Sequence, residues 1–217
     1  EPEGRLIDDA GALADYARSR FWAAPTVAAF HRAPEGEGRR IGVVATPCQT
    51  LALAQMRSNP LNTEGFYDPV SLSIGLFCTW ALDFRAFDAF LAGRLQGGRI
   101  RKIDIPPPPA EVLVVETDKG TRTYPLSDIR PLIPESCSYC PDMTSEFADL
   151  SVGVVEGRPD WNTLIVRTER GRDLFETACR EGWLLREELP PDNLAHLRWA
   201  AGNKKQRALA RGRAAGL

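Results

Sequence analysis

The chain has 217 residues, of which 43% are apolar and 26% are charged, and its formal net charge is −2. This length supports one well-buried core, or one domain with an appended element, and the composition is that of an ordinary globular protein. The small net charge predicts no general attraction to nucleic acid or to anionic membranes, and no apolar run approaches the roughly 18 residues that span a bilayer.

The first half of the chain predicts short helices around two buried strands. The expected helices cover residues 8–17, 25–32, 49–56 and 83–95, the expected strands cover 40–45 and 71–78, and a turn-rich loop is expected over 59–70. Phe84, Phe87 and Leu91 recur at helical spacing, which predicts an apolar core face on the fourth helix.

The second half predicts β structure over residues 100–133, then further strands and two helices. The expected strands cover 100–105, 112–117, 121–124, 147–155 and 161–168, and the expected helices cover 172–181 and the stretch from 191 onward. Asp118-Lys119-Gly120 is a favourable hairpin turn, and residues 106–109 form a polyproline link. The predicted fold class is therefore α/β: a mixed sheet with flanking helices, several short strands, a β-hairpin and a basic C-terminal helix.

The five cysteines argue against a disulfide framework, because their number is odd and the chain is long. A reducing compartment, and hence a cytoplasmic location, is expected. The chain begins with Glu1 rather than Met, so we expect a processed or trimmed product with a segment upstream.

The placement of the cysteines predicts a metal or redox centre. Cys137 and Cys140 form a C-x-x-C, whereas Cys48 and Cys78 each end an apolar run. Four thiols suit either zinc or an iron–sulfur cluster. Two single cysteines at strand ends favour a cluster, because structural zinc sites usually present two C-x-x-C pairs. Zinc, and four thiols that never meet, remain the alternatives.

Five segments occur in this order along the chain: Thr46-Pro47-Cys48-Gln49, Ile74-Gly75-Leu76-Phe77-Cys78, Ser136-Cys137-x-x-Cys140-x-Asp142, Ala148-Asp149-Leu150-Ser151-Val152-Gly153 and Val166-Arg167-Thr168-Glu169-Arg170-Gly171. Together they resemble the C-terminal domain of the beta subunits of coenzyme F-420 hydrogenases and dehydrogenases. The resemblance covers roughly residues 15–205. It implies a cytoplasmic iron–sulfur flavoprotein, with Cys48, Cys78, Cys137 and Cys140 as ligands of a 4Fe-4S cluster.

The resemblance also implies an oxidoreductase subunit that passes electrons between the cluster, FAD and a soluble acceptor. Coenzyme F-420, NAD and ferredoxin are the acceptors considered, and the implied partners are subunits of a hydrogenase, formate dehydrogenase or heterodisulfide-reductase-like complex. The Gly-rich segment that helps such relatives bind flavin is not found, so FAD binding is expected to be completed by an upstream segment or by another chain, the alternative being that this subunit has lost the flavin. A ferredoxin-dependent reductase of an organic substrate and a zinc-stabilised, non-enzymatic interaction module are the competing functions.

Two groups of residues are candidate flavin contacts. Thr46, Gln49 and Thr50 surround a predicted strand–helix turn, where backbone N–H groups can receive a phosphate or a flavin oxygen. The second group is Arg167, Thr168 and Arg170. The guanidinium groups of the two arginines suit phosphates or the acidic tail of a deazaflavin. A surface position for Gln49 and a solvated pair of arginines are the simpler alternatives.

The remaining features assign no catalytic residue. Asp142, directly after the C-x-x-C, is expected to orient its loop by accepting hydrogen bonds from backbone amides. We divide the chain into a redox domain over residues 1–190 and a C-terminal helix over 191–217. From Leu197 onward that helix carries six cationic and no acidic side chains. We expect it to dock onto another subunit, and nucleic-acid contact and a solvated face are the alternatives.

Overall fold

The computed structural model describes most of the chain, namely residues 2–16, 21–30, 32, 40–59, 68–95, 97–107 and 109–216. The chain divides into two compact units that are interleaved in sequence. The first unit comprises Glu1–Ala29 with Trp80–Cys137, and the second comprises Phe30–Thr79 with Ser138–Leu217.

Both helices and strands are short, apart from the last helix. In the described residues the α-helices are α1 (Thr26–Phe30), α2 (Pro47–Ser58), α3 (Phe84–Leu91), α4 (Leu126–Ile129), α5 (Glu169–Arg180) and α6 (Pro191–Ala214). The strands are β1 (Ile41–Ala45), β2 (Val70–Leu76), β3 (Ile100–Asp104), β4 (Val112–Thr117), β5 (Gly120–Pro125), β6 (Leu150–Val154) and β7 (Asn162–Val166). Short 3₁₀ helices cover Ala10–Tyr16, Arg130–Leu132 and Glu135–Tyr139. The predicted fold class is confirmed.

The first unit is built on an antiparallel sheet of order β3-β4-β5, with α3 as its main covering helix. Phe87 and Leu91 of α3 pack with Ile103, Leu113 and Val115 of the sheet in one buried cluster. The alternation of buried residues along β4 explains this arrangement, because one face of each strand points to the core. The predicted hairpin is confirmed: Thr117 pairs with Gly120 across a tight turn, and Gly120 has φ +121°.

The second unit is built on a mixed sheet of order β1-β2-β6-β7. β1 and β6 both pair with β2 in parallel, and β7 pairs with β6 in antiparallel orientation. Helix α2 covers one side of β1 and β2, where Val43, Ala45, Leu53 and Val70 form a buried cluster. The apolar run of β1 is a strand, as predicted, but it is buried on one face only, because Gly42 and Val44 are exposed.

Several predicted boundaries were wrong for local reasons. The helix expected over 83–95 ends at Leu91, because Gly93 has φ +76° and the chain leaves helical geometry there. The β structure expected to continue to residue 133 gives way at Leu126 to α4 and a 3₁₀ turn. The helix expected from Arg172 starts three residues earlier, since Thr168 caps it by accepting from the Gly171 N–H at 3.1 Å.

Some predictions fall on residues that the structure leaves undescribed. Most of the loop expected over 59–70 lies outside the described residues, as do Ala17 and Pro108. Among the described residues, no helix has both the length and the apolar character needed to cross a membrane. The predicted boundary between residues 190 and 191 stays a prediction, although the helix beyond it is observed as α6.

Candidate functional site

Two of the predicted ligands lie at the same edge of the mixed sheet. Cys48 is the second residue of α2, just after β1 ends, and Cys78 follows β2 by two residues. β1 and β2 are parallel, with Ala45 opposite Gly75, so their carboxyl ends meet at one edge. Cys48 is exposed and Cys78 is half-buried.

The segment that carries Cys140 is tied to the end of β2. The Cys78 N–H donates to the Met143 carbonyl at 2.9 Å, and the Ser145 hydroxyl donates to the Leu76 carbonyl at 3.0 Å. Ser145 itself has φ +56°, an uncommon backbone conformation for a residue other than glycine. These contacts bring a third cysteine-bearing segment to the edge already occupied by Cys48 and Cys78.

Asp142 fixes the loop after Cys140 in the way the sequence predicted. Its carboxylate is buried and accepts from the Thr144 N–H at 2.9 Å and the Glu146 N–H at 2.8 Å. Its backbone carbonyl lies 3.4 Å from the Cys140 Sγ, which is oriented to donate to it. The expected role of Asp142 as an anchor of this loop is confirmed.

Cys137 lies in the 3₁₀ helix Glu135–Tyr139, and its N–H donates to the Pro134 carbonyl at 3.0 Å. It is the last residue of the first unit, whereas Cys140 belongs to the second. Three residues of chain span at most about 10 Å, which is therefore the upper limit for the separation of the Cys137 and Cys140 Cα atoms.

The donor chemistry of these residues fits a thiolate-bound centre. All five cysteines are free thiols. Within the described part of the chain, no three His, Cys, Asp or Glu side chains lie close enough together to hold one metal ion. Cys48, Cys78, Cys137 and Cys140 supply the four thiols that either a zinc ion or an iron–sulfur cluster would take.

A buried lysine joins the cysteine-bearing segments, and sequence reasoning missed it. Lys204 of α6 is 5% exposed, and its Nζ donates to the carbonyl oxygens of Cys78 at 2.7 Å and Asp142 at 2.8 Å. In the sequence it is one cation in a basic run. A possible signal was its place among Ala200, Ala201 and Ala208, since small residues at helical spacing mark a closely packed helix face.

The first group of candidate flavin contacts forms the N-terminal turn of α2. The Thr46 N–H donates to the Gln49 Oε1 at 3.3 Å, so the Gln49 amide is engaged at the helix start. Thr50 is 1% exposed, and its hydroxyl donates to the Pro47 carbonyl at 3.0 Å. Pro47 is the first helical residue and has no N–H to offer an anion. Thr46 and Gln49 are therefore partly exposed at this turn, whereas Thr50 is buried and stabilises it through its hydrogen bond to Pro47.

Arg167, in the second group, points into the chain's own fold. Its Nε donates to the Ser151 Oγ at 2.8 Å, and its Nη2 donates to the Thr144 carbonyl at 2.9 Å and hydroxyl at 2.8 Å. The side chain thereby joins β6 to the loop that follows Asp142. Contact with a flavin or a deazaflavin would require it to exchange some of these bonds.

Thr168 and Arg170 converge on Asp149, a buried carboxylate that sequence reasoning did not assign. The Asp149 Oδ1 accepts from the Thr168 hydroxyl at 2.7 Å and from the Arg170 Nη2 at 3.1 Å. Its Oδ2 accepts from the Ser73 N–H at 2.7 Å and hydroxyl at 2.9 Å. The sequence signal for it was weak: an acidic residue at the start of an apolar strand.

The environment of Asp149 keeps it ionised. Burial by itself raises the pKa of this carboxyl group. The hydrogen bonds from Thr168 and Ser73, together with the charge of Arg170, outweigh burial and lower the pKa below its ordinary value. Asp149 thus joins β2 to the start of β6 and the start of α5.

Comparison with known proteins identifies a matching family. The matching profile describes the C-terminal part of the beta subunits of coenzyme F420 hydrogenases and dehydrogenases, and it covers residues 38–192. The chain is 27% identical over 215 residues to the beta subunit of the coenzyme F420 hydrogenase of Methanothermobacter thermautotrophicus, covering 96% of this chain and 75% of that protein. It is 30% identical over 201 residues to the F subunit of the F(420)H(2) dehydrogenase of Methanosarcina mazei, covering 88% of this chain and 53% of that protein.

Two further similarities concern a larger enzyme and a solved structure. The coenzyme F420-dependent sulfite reductase of Methanocaldococcus jannaschii is 28% identical over 201 residues, but only 31% of its length is covered. A chain in the xenon-derivatised F420-reducing nickel–iron hydrogenase complex of Methanosarcina barkeri aligns with a TM-score of 0.77 at 24% identity, covering 89% of this chain and 68% of that one. At this identity the likeness supports the fold alone. The chain thus spans three quarters or less of each of these proteins.

Proposed function

The chain belongs to the family of coenzyme F420 hydrogenase/dehydrogenase beta subunits, which are parts of oxidoreductases, and we propose that it is the electron-transfer subunit of a multi-subunit redox complex. In this proposal electrons pass between a 4Fe-4S cluster and FAD, and coenzyme F420 is the soluble acceptor or donor. The observation that carries it is the convergence of the Cys48, Cys78 and Cys140 segments at one edge of the mixed sheet.

The proposed cluster ligands are Cys48, Cys78, Cys137 and Cys140. Three of these follow elements whose positions are fixed by backbone hydrogen bonds, and the fourth is linked to Cys140 through two intervening residues. Because Cys48 is exposed while Cys78 and Cys140 are half-buried, the centre would lie near the surface of the second unit. A near-surface position suits exchange of electrons with another molecule.

The residues of this chain have the task of holding and shielding the redox groups. When bound, a cluster exchanges single electrons and a flavin converts these into the two-electron chemistry of a deazaflavin. Asp142 keeps the Cys140 loop in one conformation through its two amide hydrogen bonds. Thr46 and Gln49 would meet the flavin at the start of α2.

The second group of candidate flavin contacts could bind a flavin or a deazaflavin only after these side chains change their present hydrogen bonds. Arg167, Thr168 and Arg170 would touch FAD or the deazaflavin only by giving up bonds to Thr144, Ser151 or Asp149. Half of the Arg170 side chain is exposed, so this residue is the best placed of the three to do so. The rest of the FAD site would come from another segment or another subunit.

The partner surface proposed here is the outer side of α6. Lys204 and Ala208 face inward and are buried, whereas Arg198, Trp199 and Arg207 are exposed on the same helix. Exposed cations together with an exposed indole suit an acidic surface of a second subunit with an apolar patch. Free thiols on all five cysteines are compatible with a cytoplasmic complex.

The decisive experiment is to measure iron, sulfide and flavin in anaerobically purified complex, with an absorbance spectrum. The proposal expects about four iron and four sulfide per chain, together with about one FAD. Cys78→Ser should lose the iron–sulfur absorbance. Cys179→Ser is the matched control and should retain it, because Cys179 lies on α5 outside the proposed ligand set.

Each alternative result has a definite meaning. Iron without flavin would refute the flavin half of the proposal and leave a one-electron carrier. Zinc without iron would overturn the redox proposal and leave an interaction module. Iron content that is unchanged in Cys78→Ser would remove Cys78 from the ligand set.

A further inference from the structure

Lys204 is a charged side chain held almost entirely inside the second unit. Only 5% of the residue is exposed, and its ammonium group donates to the carbonyl oxygens of Cys78 and Asp142 at 2.7 and 2.8 Å. Lysine is among the residues least often fully buried, because removing an ammonium from water is costly. Burying this ammonium group therefore requires interactions that offset the cost of removing it from water.

The two contacts join segments that are far apart in the sequence. Lys204 lies 126 positions from Cys78 and 62 positions from Asp142. One of its acceptors is the backbone of a proposed ligand, and the other is two residues beyond Cys140. A single side chain from α6 therefore holds the ends of two cysteine-bearing segments together.

The neighbouring lysine makes an informative contrast. Lys205 is exposed and donates to the Glu146 carboxylate in a surface ion pair. The two acceptors of Lys204 are carbonyl oxygens, which accept from two of its three N–H groups without cancelling its charge. Lys204 thus supplies positive charge at the cysteine loops, whereas the charge of Lys205 is paired at the surface.

We propose that Lys204 is a positioning residue of the redox centre, which clamps the Cys78 and Cys140 segments in register and raises the reduction potential of the cluster they would hold. This inference rests on the proposed function, since it concerns the same cysteines. Cluster potentials depend on nearby charge, hydrogen bonding and burial, and a buried cation favours the more negative, reduced state. Helix α6 is then part of the redox centre as well as a candidate docking element.

The test compares Lys204→Met with Lys204→Arg and with the control Lys205→Met, all in the anaerobically purified complex. Iron and sulfide per chain and the midpoint potential of the cluster are measured for each. We expect Lys204→Met to lose at least half of its iron, or to keep it with a more negative potential. Lys204→Arg should restore iron content and most of the potential, because it keeps the charge and the donors. Lys205→Met should match the wild type in both.

The outcomes separate this inference from the proposed function. Wild-type iron content and potential in Lys204→Met would overturn the inference while leaving the cluster proposal intact. A potential that shifts equally in Lys205→Met would also overturn it, because a general charge effect would then suffice. Absence of a cluster in the wild type would refute the proposed function and, with it, the effect on the potential.

A second readout covers the clamp itself and does not need the cluster. In cluster-free protein, the rate at which a maleimide alkylates Cys78 and Cys140 reports how firmly their segments are held. The clamp predicts faster alkylation at both positions in Lys204→Met than in Lys205→Met. If Lys204→Met fails to fold, Lys204→Gln replaces it, because the glutamine amide can still donate to one of the two carbonyl oxygens but carries no charge. Equal alkylation rates in the Lys204 and Lys205 variants would contradict the clamp.

Discussion

Replacing Asp149 by asparagine tests whether this buried carboxylate organises the second unit. The change keeps the shape of the side chain but removes its charge and turns one acceptor into a donor. In the structure both oxygens face donors: the Ser73 N–H and hydroxyl on one side, and Thr168 and Arg170 on the other. Whichever way the new amide is oriented, its NH₂ group meets a donor.

The expected cost at pH 7 is about 3 kcal/mol. Hydrogen bonds to a charged group contribute about 1.5–3 kcal/mol each, and a buried donor left unpaired costs about 1–3 kcal/mol. The Arg170 side chain is 50% exposed, so its ion pair with Asp149 is screened and adds little to this sum. The loss therefore comes mainly from the Ser73 and Thr168 contacts.

The same change should alter the dependence of stability on pH. The pKa of Asp149 is lower in the folded state than its ordinary value of 3.8. A carboxylate of this kind contributes stability that is complete above pH values near its unfolded pKa and is lost as the pH falls through the folded one. The difference between wild type and Asp149→Asn should thus be largest at neutral pH and shrink below about pH 4.

Urea unfolding at several pH values, followed by circular dichroism and by hydrogen exchange of β2 and β6, measures this difference. Asp173→Asn is the matched control, because Asp173 is exposed on α5. A difference that stays constant down to pH 3 would refute the role of the Asp149 charge. Equal free energies of unfolding for Asp149→Asn and wild type at pH 7 would refute the proposal that the Asp149 carboxylate organises the second unit.

Two further predictions concern packing and partner docking. Gly153→Ala should lower the free energy of unfolding, measured by urea denaturation, by about 2 kcal/mol, because the added Cβ would overlap the Phe77 ring. Gly42→Ala should leave the free energy of unfolding unchanged, because its Cβ would meet nothing within 4 Å. Equal midpoints for the two would contradict the packing argument. Reversing the charges of the exposed Arg198 and Arg207 of α6 should weaken subunit association in pull-down without lowering iron content, and unchanged association would remove these two residues from the partner surface.

The family and the fold class could be predicted because their signals are local. Spacing of the cysteines and the motifs around the strand ends carry the resemblance, which the profile over residues 38–192 confirms. The hairpin from Val112 to Pro125 was predictable because its turn residues and alternating pattern lie within fourteen positions. The anchoring role of Asp142 was predictable too, since its carboxylate accepts hydrogen bonds from the backbone N–H groups two and four residues later in the chain.

Element ends were less predictable because tertiary structure decides them. The apolar spacing that starts at Phe84 continues to Leu95, yet Gly93 turns the chain and ends α3 at Leu91. The strand expected from Phe147 begins only at Leu150, because Ser145 and Asp149 are bonded to β2 before β6 starts. Sequence alone also does not reveal that the two units are interleaved.

The residues that sequence reasoning missed share one physical property: each is a buried charge whose partners are remote. Asp149 meets Ser73 across 76 positions, and Lys204 meets Cys78 across 126. No local pattern distinguishes them from surface charges, since the interactions that offset their burial exist only in the folded chain. Both act on the stretch between Cys140 and β6, Lys204 at its beginning and Asp149 at its end. A segment fixed at both ends by buried charges has little freedom to move, and this is the property that a loop presenting a cluster ligand needs.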